Sequence, residues 1–335
     1  MSPLSQLVRR VSTSDAIGRA LRLVARREST VLTYHRLSGI AGTRPEVLRA
    51  ALAYLRRHRY PVRPLGELLD DAAAGRARSA VAFTFDDGYA DFAEVAQPIF
   101  AEFDCPVTVF VSTGPVDRQC WFWWDAVEYG MTHARTRRAV VADGDVRLDV
   151  AWQSDAERHV RYLEVCEALK RVSTPVRERL GSAFVEALGV TLPALPPAEY
   201  AMMTWDDVRR CERAGVTIGG HTVTHPILAR CDDARSRWEL EESVRRLRAE
   251  CAGPIDVFAY PNGRPDVDFG DREVAVLRAA GVRWAVSTEH AHVVPEPSRY
   301  TSPDARFRVP RVSDPGGLPA IVRVVSGVDR WRRPA

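Results

Sequence analysis

The stretch VAFTFDDGYAD, Val81 to Asp91, decides how this chain is read. A run of mostly apolar, β-favouring residues leads straight into two adjacent carboxylates and then a glycine. Two neighbouring acids repel each other, and burying both costs several kcal/mol unless something compensates. Successive residues on a strand point to opposite faces. Asp86 and Asp87 therefore reach one site only where the strand turns, and Gly88 makes that turn cheap. A cation is the natural compensator, so its other ligands are sought elsewhere in the chain.

The bulk properties are those of an ordinary globular protein. The chain has 335 residues, 46% hydrophobic and 27% charged, with a formal net charge of +3. A sizeable core is within reach of this length, and nothing in the charge calls for nucleic acid as a partner. Arginine carries nearly all the positive charge; Lys170 is the single lysine. The six cysteines, Cys105, Cys120, Cys166, Cys211, Cys231 and Cys251, are scattered without a C-x-x-C pair. That argues against a disulfide framework or a thiolate zinc site, and for a reducing compartment. No apolar run approaches the roughly 20 residues that span a bilayer. Residues 3–27 show helical periodicity with arginines on the other face, and arginines interrupt what would be the apolar core of a signal peptide. The expectation is a cytoplasmic protein whose basic arm packs on the domain or contacts the inner membrane face peripherally.

Seven short β-like runs alternate with helical stretches: 30–35, 80–85, 106–112, 215–220, 256–260, 282–287 and 306–311. Helices are expected over 45–57, 90–102, 204–214, 235–252 and 272–280, the third opened by Thr204 with Asp207 three residues on. Strand–helix alternation implies an α/β fold with a parallel sheet and crossover helices. Seven units suggest an irregular (β/α)7 barrel, related to the eight-stranded one; an open doubly wound sheet is the alternative. No G-x-G-x-x-G follows the first run, so a dinucleotide fold has no support. The expected organisation is a basic arm over 1–29, a barrel over 30–120 and 204–315, an inserted helical and aromatic segment over 121–203, and a tail over 316–335. The insertion contains one small strand around 146–152 and helices over 154–190. Its aromatic cluster, Trp121, Phe122, Trp123 and Trp124, suits core packing, with one ring left to stack on a sugar.

The unusual polar residues collect at the carboxyl ends of these runs. His35 ends the first, Asp86 and Asp87 the second, and His221 and His225 follow the fourth. Pro261-Asn262-Gly263 follows the fifth, and Arg311 closes the seventh. In a parallel barrel those ends share one face, where active sites form. His221 and His225 are four apart, so a helical turn would aim both the same way. Two imidazoles and one carboxylate make a His2Asp centre with open positions, suited to hydrolysis. The second aspartate is then free to accept a proton from water. Adjacent carboxylates in one turn cannot flank a glycosidic bond, which disfavours a glycosidase.

Together these residues resemble the polysaccharide deacetylase family, also known by its NodB homology. TFDDG (84–88) is similar to the family's first motif and HTVTHP (221–226) to its second, across roughly 30–125 and 202–312. The resemblance implies hydrolysis of an N-acetyl group on an amino sugar. It implies Asp86 as catalytic base and Asp87, His221 and His225 as ligands of a divalent metal, usually zinc, with cobalt, nickel or iron also compatible. Two motifs depart. AYPNG (259–263) stands where the family commonly has Arg-Pro-Pro-Tyr-Gly, so Ala259 replaces the arginine that orients the base. Arg311, or else Arg264, would have to supply that charge. Asn262 takes the tyrosine place, where a backbone N–H contributes to the oxyanion hole. The usual Leu-x-His near the C-terminus is missing. LTYHRL (32–37) instead resembles the poly-N-acetylglucosamine deacetylase branch, in which the acid histidine comes from the first strand; that would be His35, with His290 and His292 as weaker candidates. The implied partner is an N-acetylated glycan or lipid-linked sugar. A glycan-binding protein without turnover, and a hydrolase of other non-peptide C–N bonds, are the alternative readings.

Overall fold

The computed structural model describes residues 28–37, 43–76, 79–117 and 121–327. The basic arm expected over 3–27 lies outside them. Nine strands are found among the described residues: β1 (Thr30–Tyr34), β2 (Val81–Phe85), β3 (Thr108–Val111), β4 (Arg138–Asp143), β5 (Val146–Ala151), β6 (Thr217–Gly220), β7 (Val257–Ala259), β8 (Trp284–Val286) and β9 (Val312–Ser313). Seven form one parallel sheet in the order β8-β7-β6-β3-β2-β1-β9. Helices cover it, including Pro45–Arg57, Trp205–Arg213, Asp233–Glu250 and Asp271–Ala279. The capping box at Thr204 and Asp207 is present.

The sheet is curled into the irregular barrel expected from the alternation. Residues in one phase, among them Leu32, Phe83, Phe85, Val109 and Ile218, bury themselves beneath the helices. Those in the other phase, Val31, Ala82, Phe110, Val257, Ala259 and Val286, form a second cluster although their strands lie far apart in the sheet order. The curl is closed by Val309, which bridges in parallel to Val286 just before β9 pairs with β1.

The seventh run differs from expectation. Residues 303–307 form a 3-10 turn, and the strand is Val312–Ser313 rather than 306–311. Pro310 has no N–H to give to a ladder, so pairing is limited to a bridge at Val309 and resumes beyond Arg311. The stretch from 90 to 102 begins with a π-helical turn, Phe92–Ala96, before the α-helix Gln97–Glu102. Between β3 and β6 stand the antiparallel hairpin β4–β5 and the helices Trp123–Thr132, Asp155–Lys170 and Thr174–Ala187. They share a core of their own around Val127, Leu148, Trp152, Leu169 and Phe184. Beyond β9, helix Leu318–Val325 buries Ile321 and Val322 within the main core.

Two glycines let β6 lie close against its neighbours. A Cβ on Gly219 would sit 2.5 Å from the Phe110 ring and 2.9 Å from the Val257 carbonyl oxygen; one on Gly220 would sit 2.7 Å from the Phe258 ring. Overpacking of this kind costs about 1–3 kcal/mol. Gly219→Ala is expected to lower the urea midpoint of unfolding accordingly, and a wild-type midpoint would show that the curl has room to spare.

Candidate metal and catalytic site

Strand phase sets the carboxylates. Asp86 continues the inward phase of Ala82 and Thr84, its N–H donating to the Tyr34 carbonyl at 2.9 Å. Asp87 would point outward on a regular strand, but it adopts φ +77°, with Gly88 at φ +91°. A non-glycine residue held there carries strain of about 1–3 kcal/mol, a cost that concentrates at functional sites. The outcome is two carboxylates on one side of the turn, both buried.

The histidines converge, but not through a helix. Residues 221–226 are an irregular loop after β6, with Thr222 at φ +63° and His225 at φ +55°. The loop is tied from outside. Glu239, fully buried on helix Asp233–Glu250, accepts the N–H groups of Val223 and Thr224 at 2.8 Å each and the Thr224 hydroxyl at 2.5 Å. Arg235 pairs with the same carboxylate at 2.9 Å. Thr222 Oγ1 accepts the His225 N–H at 3.1 Å. His221 Nε2 and His225 Nε2 then stand 3.5 and 3.4 Å from Asp87 Oδ1.

These three ligand atoms lie within 4.8 Å of one another. His221 Nδ1 is 2.7 Å from the Ala259 carbonyl, which only accepts, so Nδ1 carries a proton and Nε2 is the inward atom. Burial, reinforced by the neighbouring His221, pushes His225 down to about 3, so its ring is neutral. Asp87 Oδ1 is buried without a hydrogen-bond partner. Burial opposes its charge, yet His221 holds its carboxyl below the usual range. Burial also opposes a charged His221, but Asp87 and Asp86 outweigh it and raise its pKa. Carboxylates that favour a proton there favour any other positive charge among the three groups. The donor set therefore fits a divalent cation.

Asp86 has a different partner. Arg311, fully buried just ahead of β9, meets it with two hydrogen bonds, Nη1 to Oδ1 at 2.7 Å and Nη2 to Oδ2 at 2.8 Å. The guanidinium also donates to Thr84 Oγ1 at 3.1 Å and to the Ser287 carbonyl at 3.0 Å. Burial alone would raise the Asp86 pKa; Arg311 first, with His221, reverses that and holds the carboxyl below its ordinary value. Arg264 is elsewhere, pairing with Asp268 at 2.9 Å. Of the two arginines considered from sequence, Arg311 is the one on Asp86.

His35 follows β1, whose register sets Tyr34 beside Phe85, and so His35 beside Asp86. Its side chain is exposed, and its field reaches both aspartates. Asn262 sits on the loop after β7 at φ +58°, its carbonyl accepting the Thr288 hydroxyl at 2.5 Å. His292 is turned away into a buried contact with Thr30 Oγ1 at 3.0 Å, and His290 is exposed. The aromatic segment contributes a wall. Phe122 and Trp124 stack at 4.4 Å, and Trp124 meets the His225 ring edge-on at 4.6 Å. Trp123 instead packs against the core of the inserted helices.

Comparison with known proteins gives the family and the fold. The sequence matches the polysaccharide deacetylase family over residues 74–148 and 184–285, just over half of the chain. No curated protein sequence matches it. Among solved structures, the Streptococcus pyogenes deacetylase PplD in complex with acetate aligns with a TM-score of 0.56 at 15% identity, covering 92% of this chain and 100% of that one. IcaB from Ammonifex degensii aligns at 0.55 and 16%, covering 90% and 96%. The BpsB deacetylase domain from Bordetella bronchiseptica aligns at 0.50 and 16%, covering 87% and 96%. At such identities the structures speak for the fold, and the sequence match speaks for the lineage. The chain belongs to the polysaccharide deacetylase family.

Proposed function

We propose that the protein is a metal-dependent N-deacetylase that removes acetyl groups from N-acetylated amino sugars in a glycan. The observation that carries this is the division of labour between the two aspartates. Asp87 faces two imidazoles, while Asp86, one residue away, is held by Arg311. Asp87, His221 and His225 would hold the cation. When bound it supplies Lewis acidity, polarising the acetamide carbonyl and acidifying the attacking water.

The chain's own residues account for the proton transfers. Arg311 occupies one lone pair on each Asp86 oxygen and leaves the others open. Asp86 stays deprotonated at neutral pH and takes the proton lost by water as the new C–O bond forms. A carboxylate with a lowered pKa is a weak base, which is why the water must be acidified for it. The Asn262 N–H receives the carbonyl oxygen as it gains charge. His35 gives a proton to the amine nitrogen as the C–N bond breaks. Acetate and a free amino sugar result.

The test is acetate release from N-acetylglucosamine oligomers. Dialysis against a chelator is expected to lower the rate at least about 100-fold, with zinc or cobalt restoring it. Undiminished release by protein shown to be metal-free would overturn the metal-dependent reading. Saturable glycan binding without release would replace it with a binding protein, and release only from small non-sugar amides would change the substrate.

A further inference from the structure

The residue after His35 is held by four separate contacts. The Arg36 guanidinium carbon lies 4.5 Å from the centre of the Tyr89 ring and 5.6 Å from that of Tyr200. Its Nη1 is 3.8 Å from Asp125 Oδ1, and its Nη2 donates to the Glu199 carbonyl. Tyr89 belongs to the same turn as Asp86 and Asp87. Its hydroxyl donates to Asp125 Oδ2 at 2.8 Å and accepts the Trp124 indole N–H at 3.0 Å. Asp125 is buried, Arg36 is largely covered, and Asp125, Glu199 and Tyr200 all come from the segment between β3 and β6. The next residue is tied as well: the Leu37 N–H donates to Asp91 Oδ2 at 2.9 Å.

His35 itself has no such anchor. Its ring is exposed, and no hydrogen bond among the described residues holds it. Its reach toward the aspartates is therefore set by the backbone at the end of β1. That backbone has β1 pairing on one side and the Arg36 clamp on the other.

We propose that Arg36, gripped by Tyr89, Tyr200 and the Glu199 carbonyl, is a positioning residue that holds His35 where it can protonate the leaving amine, so that the inserted segment controls the proton donor. This rests on the deacetylase reading above. Burial pushes the Asp125 carboxyl up to about 8 against the pull of Tyr89 and Arg36. At neutral pH the Asp125 carboxyl is therefore mostly uncharged, and Arg36 is held chiefly by the two rings and the Glu199 carbonyl. The stacking rings give Arg36 planar contacts that a lysine could not make in the same way.

The leaving group separates positioning from general support. A sugar amine must be protonated as it departs, whereas the phenolate of 4-nitrophenyl acetate leaves without a proton. Both substrates need the same water, the same Asp86 and the same fold. Arg36→Met and Asp125→Asn are compared with wild type and with His35→Ala on N-acetylglucosamine oligomers and on the aryl ester. General acid catalysis contributes about 100-fold or more. His35→Ala should therefore lower the amide-to-ester ratio of kcat by about that factor, and Arg36→Met by about tenfold or more, with KM for the oligomer little changed. Asp125→Asn keeps an acceptor for Tyr89 and should give a smaller loss in the same direction. Equal losses on both substrates, or an unchanged ratio in Arg36→Met, would overturn the proposal. A wild-type protein that cleaves the ester but releases no acetate from the oligomer would instead sink the deacetylase reading, and this inference with it.

Discussion

Asp86→Asn is expected to lower acetate release by about 10²- to 10⁴-fold, the range that a positioned general base contributes. The substitution keeps the shape of the side chain and removes its ability to take a proton. It should leave the cation in place, because the three converging ligand atoms belong to Asp87, His221 and His225. Metal analysis of the purified variant should accordingly show wild-type stoichiometry, while the rate collapses. That pairing separates loss of a base from loss of a ligand. Asp87→Asn should do the reverse, weakening metal retention along with activity. An Asp86→Asn protein with a tenth or more of wild-type kcat would strip Asp86 of the role, and one that loses its metal would merge the two aspartates into a single function.

Much of this arrangement was readable from the chain, for identifiable reasons. The near-continuous apolar run VAFTF reports burial on both faces, and buried parallel strands separated by helices leave few folds to choose from. The acid pair before Gly88 and the HTVTHP loop advertise themselves because their residue types are costly to bury. Local pattern failed where distant groups decide the backbone. Spacing suggested a helical turn for His221 and His225, but Glu239 takes the N–H groups of Val223 and Thr224 and keeps the loop irregular. A signal for this existed. Glu239 stands beside Leu240, Val244 and Leu247, and it is buried together with Ser236 and Ser243, polar residues on the stripe that faces the core. The hairpin partner β4 was also foreshadowed. Gly144 and Asp145 form a two-residue loop with Gly144 at φ +57°, a hairpin signature that the search for longer runs passed over. RFRVPR looked like a strand because its apolar residues alternate, and Pro310 is the residue that stops it from being one. The sequence favoured Arg311 over Arg264, but without a decisive local signal. Arg264 follows the end of β7 and Arg311 precedes β9, and only the closing of the barrel puts Arg311 across from Phe110, 5.6 Å away.

The same closure predicts that Arg311→Met costs about 3–5 kcal/mol of stability at neutral pH, the penalty for removing one partner of a buried ion pair. The carboxylate left behind is 3% exposed. It keeps its electrostatic partner His221, but it loses both hydrogen bonds and its strongest counter-charge. With Arg311 present the folded-state pKa of Asp86 is depressed. Its contribution is therefore complete above the unfolded carboxylate value of about 3.9 and fades as pH falls through the lower folded-state value. Without Arg311, burial dominates and the carboxyl pKa moves up, so the variant folds best with Asp86 protonated. Urea unfolding should show a wide gap between wild type and Arg311→Met at pH 7 that narrows on acidification toward pH 4. A second comparison removes the charge from both sides. Asp86→Asn strands the guanidinium and Arg311→Met strands the carboxylate, whereas the double variant strands neither. Its cost should fall short of the sum of the single costs by about 1–3 kcal/mol. Additive costs, or a gap that stays constant with pH, would mean that Arg311 supports the barrel by packing alone and that the charge of Asp86 is maintained by something else.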